Sequence, residues 1–122
     1  MKSVETFKAE IYIGFREQYS NKYHAYEEVI EICKEYVNEV GLCVSIEKID
    51  FVYTDGGEPG AKVTLINYPR FETTPANISL TAGKLGHILM EKFKQFRVSI
   101  VTTDKTYMLE NTELLNQQET KQ

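Results

Sequence analysis

The 122-residue chain is predicted to fold as an α+β domain, with two helices covering one face of a four-stranded antiparallel sheet. Three observations predict it. Apolar residues alternate from Phe7 to Phe15, the period-two signature of a half-buried strand. Two later stretches, from Ala25 and from Pro75, switch to helical spacing. Between them lie two more strand patterns joined by a short turn-rich segment, which favours an antiparallel hairpin.

Each element has its own local reason. Phe7, Ala9, Ile11, Ile13 and Phe15 share one parity, and the following Arg16–His24 turns polar and aromatic, as a loop does. Val29, Ile30, Cys33, Tyr36, Val37 and Val40 then form an apolar helical stripe, and Gly41 supplies the left-handed stop. Leu42, Val44 and Ile46 share one parity whereas Ile49, Phe51 and Tyr53 share the other, so a bulge is expected near Glu47-Lys48. Thr54–Gly60 is dense in turn residues and leads to a strand over Ala61–Tyr68, which Pro69 ends for want of an N–H. Thr74-Pro75 opens the second helix as N-cap and first-turn proline, and Ile78, Ala82, Leu85, Leu89, Phe93 and Phe96 give its stripe. Gly83 and Gly86 within it point to close packing or to simple tolerance. Val98–Val101 is an apolar run suited to a strand buried on both faces, and Thr106–Leu109 either pairs with it or continues it.

The order strand, helix, strand, strand, helix, strand is the ferredoxin-like βαββαβ arrangement. Right-handed crossovers give the spatial order fourth, first, third, second, with a fifth C-terminal strand if the last segment pairs. Residues 1–110 form the single domain and 111–122 a polar, flexible tail. Tyr12, Thr64, Ile66, Ser99 and Val101 fall on the sheet face away from the helices. That face is too apolar to be wholly wet, so a homo-oligomer, a dimer or trimer through the sheet, is expected.

The element order, the hairpin containing Tyr53-Thr54-Asp55-Gly56 and the added C-terminal strand resemble the PII-like and CutA-like group of small oligomeric ferredoxin-like proteins, over about residues 5–110. The resemblance implies three subunits with small ligands, nucleotides in the PII branch, held in clefts between them. The chain departs from true PII proteins in lacking their long flexible loop.

Composition narrows the functional classes. Hydrophobic residues at 42% argue against disorder, and a net charge of −4 argues against a nucleic-acid binder. No apolar run reaches the ~20 residues of a membrane span. Cys33 and Cys43 make no redox or metal motif, which suits a soluble protein of a reducing, cytoplasmic compartment.

Topology sorts the polar residues by end. Arg16, Tyr19, Lys22, Tyr23, His24 and Arg97 gather at one end of the sheet, where forked arginine donors and tyrosine faces could take a phosphate or carboxylate ligand. The competing reading makes them solvated charges, with the arginines pairing Asp55 or Glu58. Tyr68 and Arg70, in Asn67-Tyr68-Pro69-Arg70-Phe71, lie at the opposite end as a binding corner, or as a strand terminator with Phe71 in the core. Asp50, Asp55 and Glu58 lack a calcium-loop pattern, Gly56-Gly57 matches no phosphate loop, and neither histidine has a zinc-ligand partner at suitable spacing. No metal or cofactor is predicted. The sequence therefore predicts a non-enzymatic oligomeric module that captures a small anionic, nucleotide-like ligand at inter-subunit clefts. Two alternatives stay open: an assembly subunit without a small ligand, and a small acid–base isomerase or lyase using His24 with Tyr23 or Arg16.

Overall fold

In the computed structural model, which describes residues 1–120, the alternation of the first strand becomes β1 (Lys8–Gly14), with Ala9, Ile11 and Ile13 fully buried. The helical stripe becomes α1 (Tyr26–Val40), stopped by Gly41 at φ 73°. Its start is closed by the Glu28 carboxylate, which accepts the Ala25 N–H at 2.9 Å. β2 (Ser45–Tyr53) and β3 (Gly56–Ile66) follow as a hairpin, then α2 (Pro75–Lys92), β4 (Arg97–Thr102), β5 (Thr106–Glu110) and α3 (Thr112–Thr120). At the head of α2 the Thr74 hydroxyl accepts the Asn77 N–H at 3.1 Å, with Pro75 behind it.

The five strands are antiparallel in the order β2-β3-β1-β4-β5, so the first four take the ferredoxin-like order and β5 extends the sheet beyond β4. The core lies between the helices and the inward parity of the sheet. Val29, Cys33 and Tyr36 of α1 and Ile78, Ala82, Leu85 and Leu89 of α2 meet Ile11, Ile13, Val63, Leu65, Val98 and Ile100 there. Gly86 lets α2 approach the sheet closely: an added Cβ would stand 3.0 Å from Ile100 Cδ1, whereas at Gly83 it would meet open space. Among the described residues no helix is long and apolar enough to cross a membrane.

Four local expectations are corrected. β2 has no bulge; its register with β3 runs unbroken from Ser45↔Thr64 to Tyr53↔Gly56. Ile46 faces the helices whereas Ile49 and Phe51 face outward, so this edge strand carries apolar groups on both sides. The hairpin loop is only Thr54 and Asp55, the latter at φ 61°, and Gly56–Gly60 is strand rather than turn. Pro59 is tolerated because its carbonyl and its missing N–H both face β1 just past the last pair, Gly14↔Gly60, and the carbonyl takes the Phe15 N–H at 3.0 Å. β4 is buried on one face, with Val98 and Ile100 inward and Ser99 exposed. Much of the tail expected to be irregular forms α3, because the Asn111 side chain accepts the Leu114 N–H at 3.2 Å and Leu114 and Leu115 are half-buried. The final residues 121–122 of that tail lie outside the described residues.

Candidate functional site

The loop leaving β1 is held by its own backbone. The Glu17 N–H donates to Lys22 O at 2.8 Å and the His24 N–H to Phe15 O at 2.8 Å, drawing the chain into a tight excursion. The Arg16 guanidinium spends its fork inside this loop, on Ser20 O at 2.8 Å and Tyr19 O at 2.9 Å. Tyr19 lays its ring against Phe96, with centroids 5.2 Å apart. The expected gathering of Arg16, Tyr19, Lys22, Tyr23, His24 and Arg97 at one end of the sheet is therefore present, but its charge is largely answered.

Glu17, whose side chain is 12% exposed, collects Lys22 at 3.7 Å, Lys94 at 3.7 Å and His24 Nε2 at 3.2 Å. His24 Nδ1 meets Glu28 at 2.8 Å, and the imidazole stacks on Phe93 at 4.3 Å with the planes 7° apart. The Glu28 carboxyl is held below the ordinary carboxylate range, first by the Ala25 N–H and then by His24. Arg97 pairs Glu110 of β5 at 3.6 Å rather than Asp55 or Glu58. Tyr23 is half exposed.

A second arrangement forms where β1 and β3 face each other on the outer side of the sheet. Gly14 and Gly60 are directly opposite, so two neighbouring positions lack side chains. The Glu58 carboxyl lies over Gly14 and accepts the Arg16 N–H at 3.0 Å. Gln95, 8% exposed, comes to the same place from the turn after α2. Its amide nitrogen donates to Arg16 O at 2.6 Å and to Phe93 O at 3.1 Å. Above Gly14, the point where a Cβ would sit is 2.7 Å from Glu58 Oε2 and 3.1 Å from Gln95 Oε1. Beside it the Phe51 ring covers Gly60, with Cε2 2.5 Å from that residue's would-be Cβ. The two bare glycines thus let a carboxylate, an amide oxygen and an aromatic ring pack close over the backbone, with Gly60 buried beneath the ring, a grouping that suits a cation or a hydrogen-bond donor next to a flat ring.

Tyr68 and Arg70 remain apart from this site. Tyr68 is half-buried near Cys43 and Ser45, its hydroxyl pushed upward mainly by burial, and Arg70 lies over the Phe71 ring at 5.5 Å. Phe71 is 49% exposed, so it is no core residue. Burial pushes the Cys33 thiol up to about 11, which leaves it protonated and unreactive near neutral pH. Among the described residues no three His, Cys, Asp or Glu side chains group to hold a metal. A cleft of about 390 Å³ opens between α1 and the end of α2, lined by His24, Glu27, Glu28, Glu31, Ile32, Lys92 and Phe93. Its carboxylates stand on the exposed surface of a helix, without the convergence seen over Gly14.

Glu58, Gln95 and Gly14 were not marked as ligand-binding residues by the sequence. The available signal was a glycine on the outward parity of each of two strands, and it acquires meaning only when the register sets them opposite each other.

No protein-family model and no curated protein sequence matches the chain. Two solved structures share its fold. A phage SAM lyase in the apo state superposes with a TM-score of 0.69 at 20% identity, covering 85% of this chain and 88% of the other. A phage SAM lyase in complex with S-methyl-5'-thioadenosine gives a TM-score of 0.71 at 15% identity, covering 90% and 93%. Both neighbours are enzymes, which overturns the expectation of a non-enzymatic module for an anionic ligand and agrees better with the lyase alternative. The physical reason the expectation failed is local: Lys22, His24 and Arg97 already have Glu17, Glu28 and Glu110 as partners, and the Arg16 fork is spent on loop carbonyls.

Proposed function

We propose that this chain is a lyase acting on S-adenosylmethionine (SAM), with the floor of Gly14 and Gly60 and the Glu58 carboxylate as the reacting site. The observation that carries the reading is the Glu58 carboxylate fixed over Gly14 by the Arg16 N–H, beside the Phe51 ring. SAM joins a sulfonium cation to an adenosine. A held carboxylate attracts the first, and an aromatic face takes either the cation or the flat base. The fold neighbours named as SAM lyases, one of them holding S-methyl-5'-thioadenosine, support the same substrate class.

The chemistry is a carbon–sulfur cleavage. The bond between sulfur and the amino-acid side chain breaks and its electron pair goes to sulfur, turning the sulfonium into the neutral thioether S-methyl-5'-thioadenosine. The four-carbon fragment is closed either by losing a proton to a base or by capture through its own carboxylate oxygen. Glu58 holds the cation in both routes and accepts the proton in the first.

The site opens on the outer face of the sheet, where Tyr12, Ile49, Phe51 and Val101 are half-buried and Met108 is 56% exposed. We propose that further copies of the chain cover this face and close the site against water.

The test is to incubate the purified protein with SAM and follow S-methyl-5'-thioadenosine by liquid chromatography. Wild-type protein should release it well above the spontaneous rate, and Glu58→Gln should lower that release by at least tenfold without loss of folding. Release no faster than in buffer would refute the reading.

A further inference from the structure

Gln95 is 8% exposed, its amide nitrogen makes two hydrogen bonds, and its carbonyl oxygen, which takes none from a described residue, is open to solvent rather than sealed in the core. Its orientation is fixed by elimination. The amide nitrogen faces two backbone carbonyls, Arg16 O at 2.6 Å and Phe93 O at 3.1 Å, so a flipped amide would set oxygen against oxygen twice. Both N–H groups are consumed there, and Oε1 is left as a pure acceptor. It stands 3.1 Å from the point where a Gly14 Cβ would sit, and Glu58 Oε2 stands 2.7 Å from the same point.

From this we infer that Gln95 and Glu58 together form a subsite for the α-ammonium group of the substrate's amino-acid end, with Gln95 as a specificity residue. The inference rests on the SAM reading and goes beyond it by naming which substrate group is recognised, and by what. Two acceptors converging over bare backbone offer nothing to a carboxylate and everything to a group that carries a positive charge and several N–H bonds. S-methyl-5'-thioadenosine has no such group. The pair therefore holds the intact substrate through its ammonium and, once the carbon–sulfur bond is cut, keeps hold of the amino-acid fragment alone, so S-methyl-5'-thioadenosine departs without that contact.

The experiment compares two unreactive probes by calorimetric titration: S-adenosylhomocysteine, which carries the ammonium, and S-methyl-5'-thioadenosine, which does not. Gln95→Met removes the acceptor at similar length. Gln95→Lys keeps donors toward the two carbonyls and puts a cation in the acceptor's place. Thermal melting accompanies every variant. Either folded variant should weaken S-adenosylhomocysteine about tenfold or more and leave S-methyl-5'-thioadenosine within about twofold.

Wild-type protein itself should bind N-acetylated S-adenosylhomocysteine about tenfold more weakly than the parent, an arm that needs no substitution to fold. Equal weakening of both probes in the variants, or equal affinity of wild-type protein for the acetylated and free amines, would overturn the inference. If SAM is still cleaved in that case, only this subsite fails. If wild-type protein neither cleaves SAM nor binds either probe, the lyase reading falls with it.

Discussion

Replacing Gly14 by alanine should separate the site from the scaffold, because the new methyl meets side-chain ends alone, and the one that must move far is the Glu58 carboxylate. Its Cβ would stand 2.7 Å from Glu58 Oε2 and 3.1 Å from Gln95 Oε1, both ends of side chains. The carboxylate swings aside and gives up the Arg16 N–H, a loss of about 1 kcal/mol once the half-exposed setting is discounted. The stiffer unfolded chain returns about 0.4–1 kcal/mol. The net change is therefore small, a fall in melting temperature of no more than about 5 °C. Activity should respond differently, since a carboxylate displaced by an ångström or more can lower turnover on the order of 100-fold.

Gly60→Ala is the control from the same floor. There the Cβ would lie 2.5 Å from the backbone oxygen of Ile13 and 2.5 Å from the Phe51 ring, so the strand itself must shift. About 2–3 kcal/mol of stability should be lost. Circular-dichroism melts and release of S-methyl-5'-thioadenosine from SAM read the two effects on the same preparations. A Gly14→Ala protein that melts normally and turns over like wild type would refute the placement of the site over Gly14.

The remaining expectations concern the loop cluster and the outer face. The Glu28 carboxyl is held below its ordinary value chiefly by the Ala25 N–H, so its stabilising contribution is complete above the ordinary carboxylate range and fades as the pH falls through the lowered value. Glu28→Gln should thus cost under about 1 kcal/mol near pH 7, with the gap to wild type closing in acid; urea melts at several pH values check it, and a gap that widens in acid would contradict the assignment. Light scattering should give a mass that is a multiple of the 14.1 kDa chain, and Val101→Lys on the outer face should lower it toward the single chain; a monomeric wild type would remove the proposed cover over the site.

How much of this was legible in the sequence depends on how local the cause is. The alternation from Phe7 to Phe15, the Gly41 stop and the Thr74-Pro75 start act within a few residues, and each recurs in the structure. Pro59 misled because its meaning lies across the sheet: only the end of β1 at Gly14 shows that its missing donor falls where no partner strand continues. The site is less local still. Glu58 becomes a fixed carboxylate only because Gly14 lies opposite Gly60 and the Arg16 N–H points back at it.

Charge follows the same logic. Arginine, lysine and histidine at one end of a sheet look like an anion site when counted along the chain. Glu17 gathers Lys22, Lys94 and His24 at its own carboxylate, Glu110 takes Arg97, and Arg16 turns to loop carbonyls. What remains on the outer face without an ion-pair partner is the Glu58 carboxylate, beside the Gln95 amide oxygen, and this is why the proposed ligand is a cation. Residue types fix which charges a chain owns; which of them stay free to meet a ligand is settled only by tertiary pairing, and here that pairing consumes the cations an anion site would need.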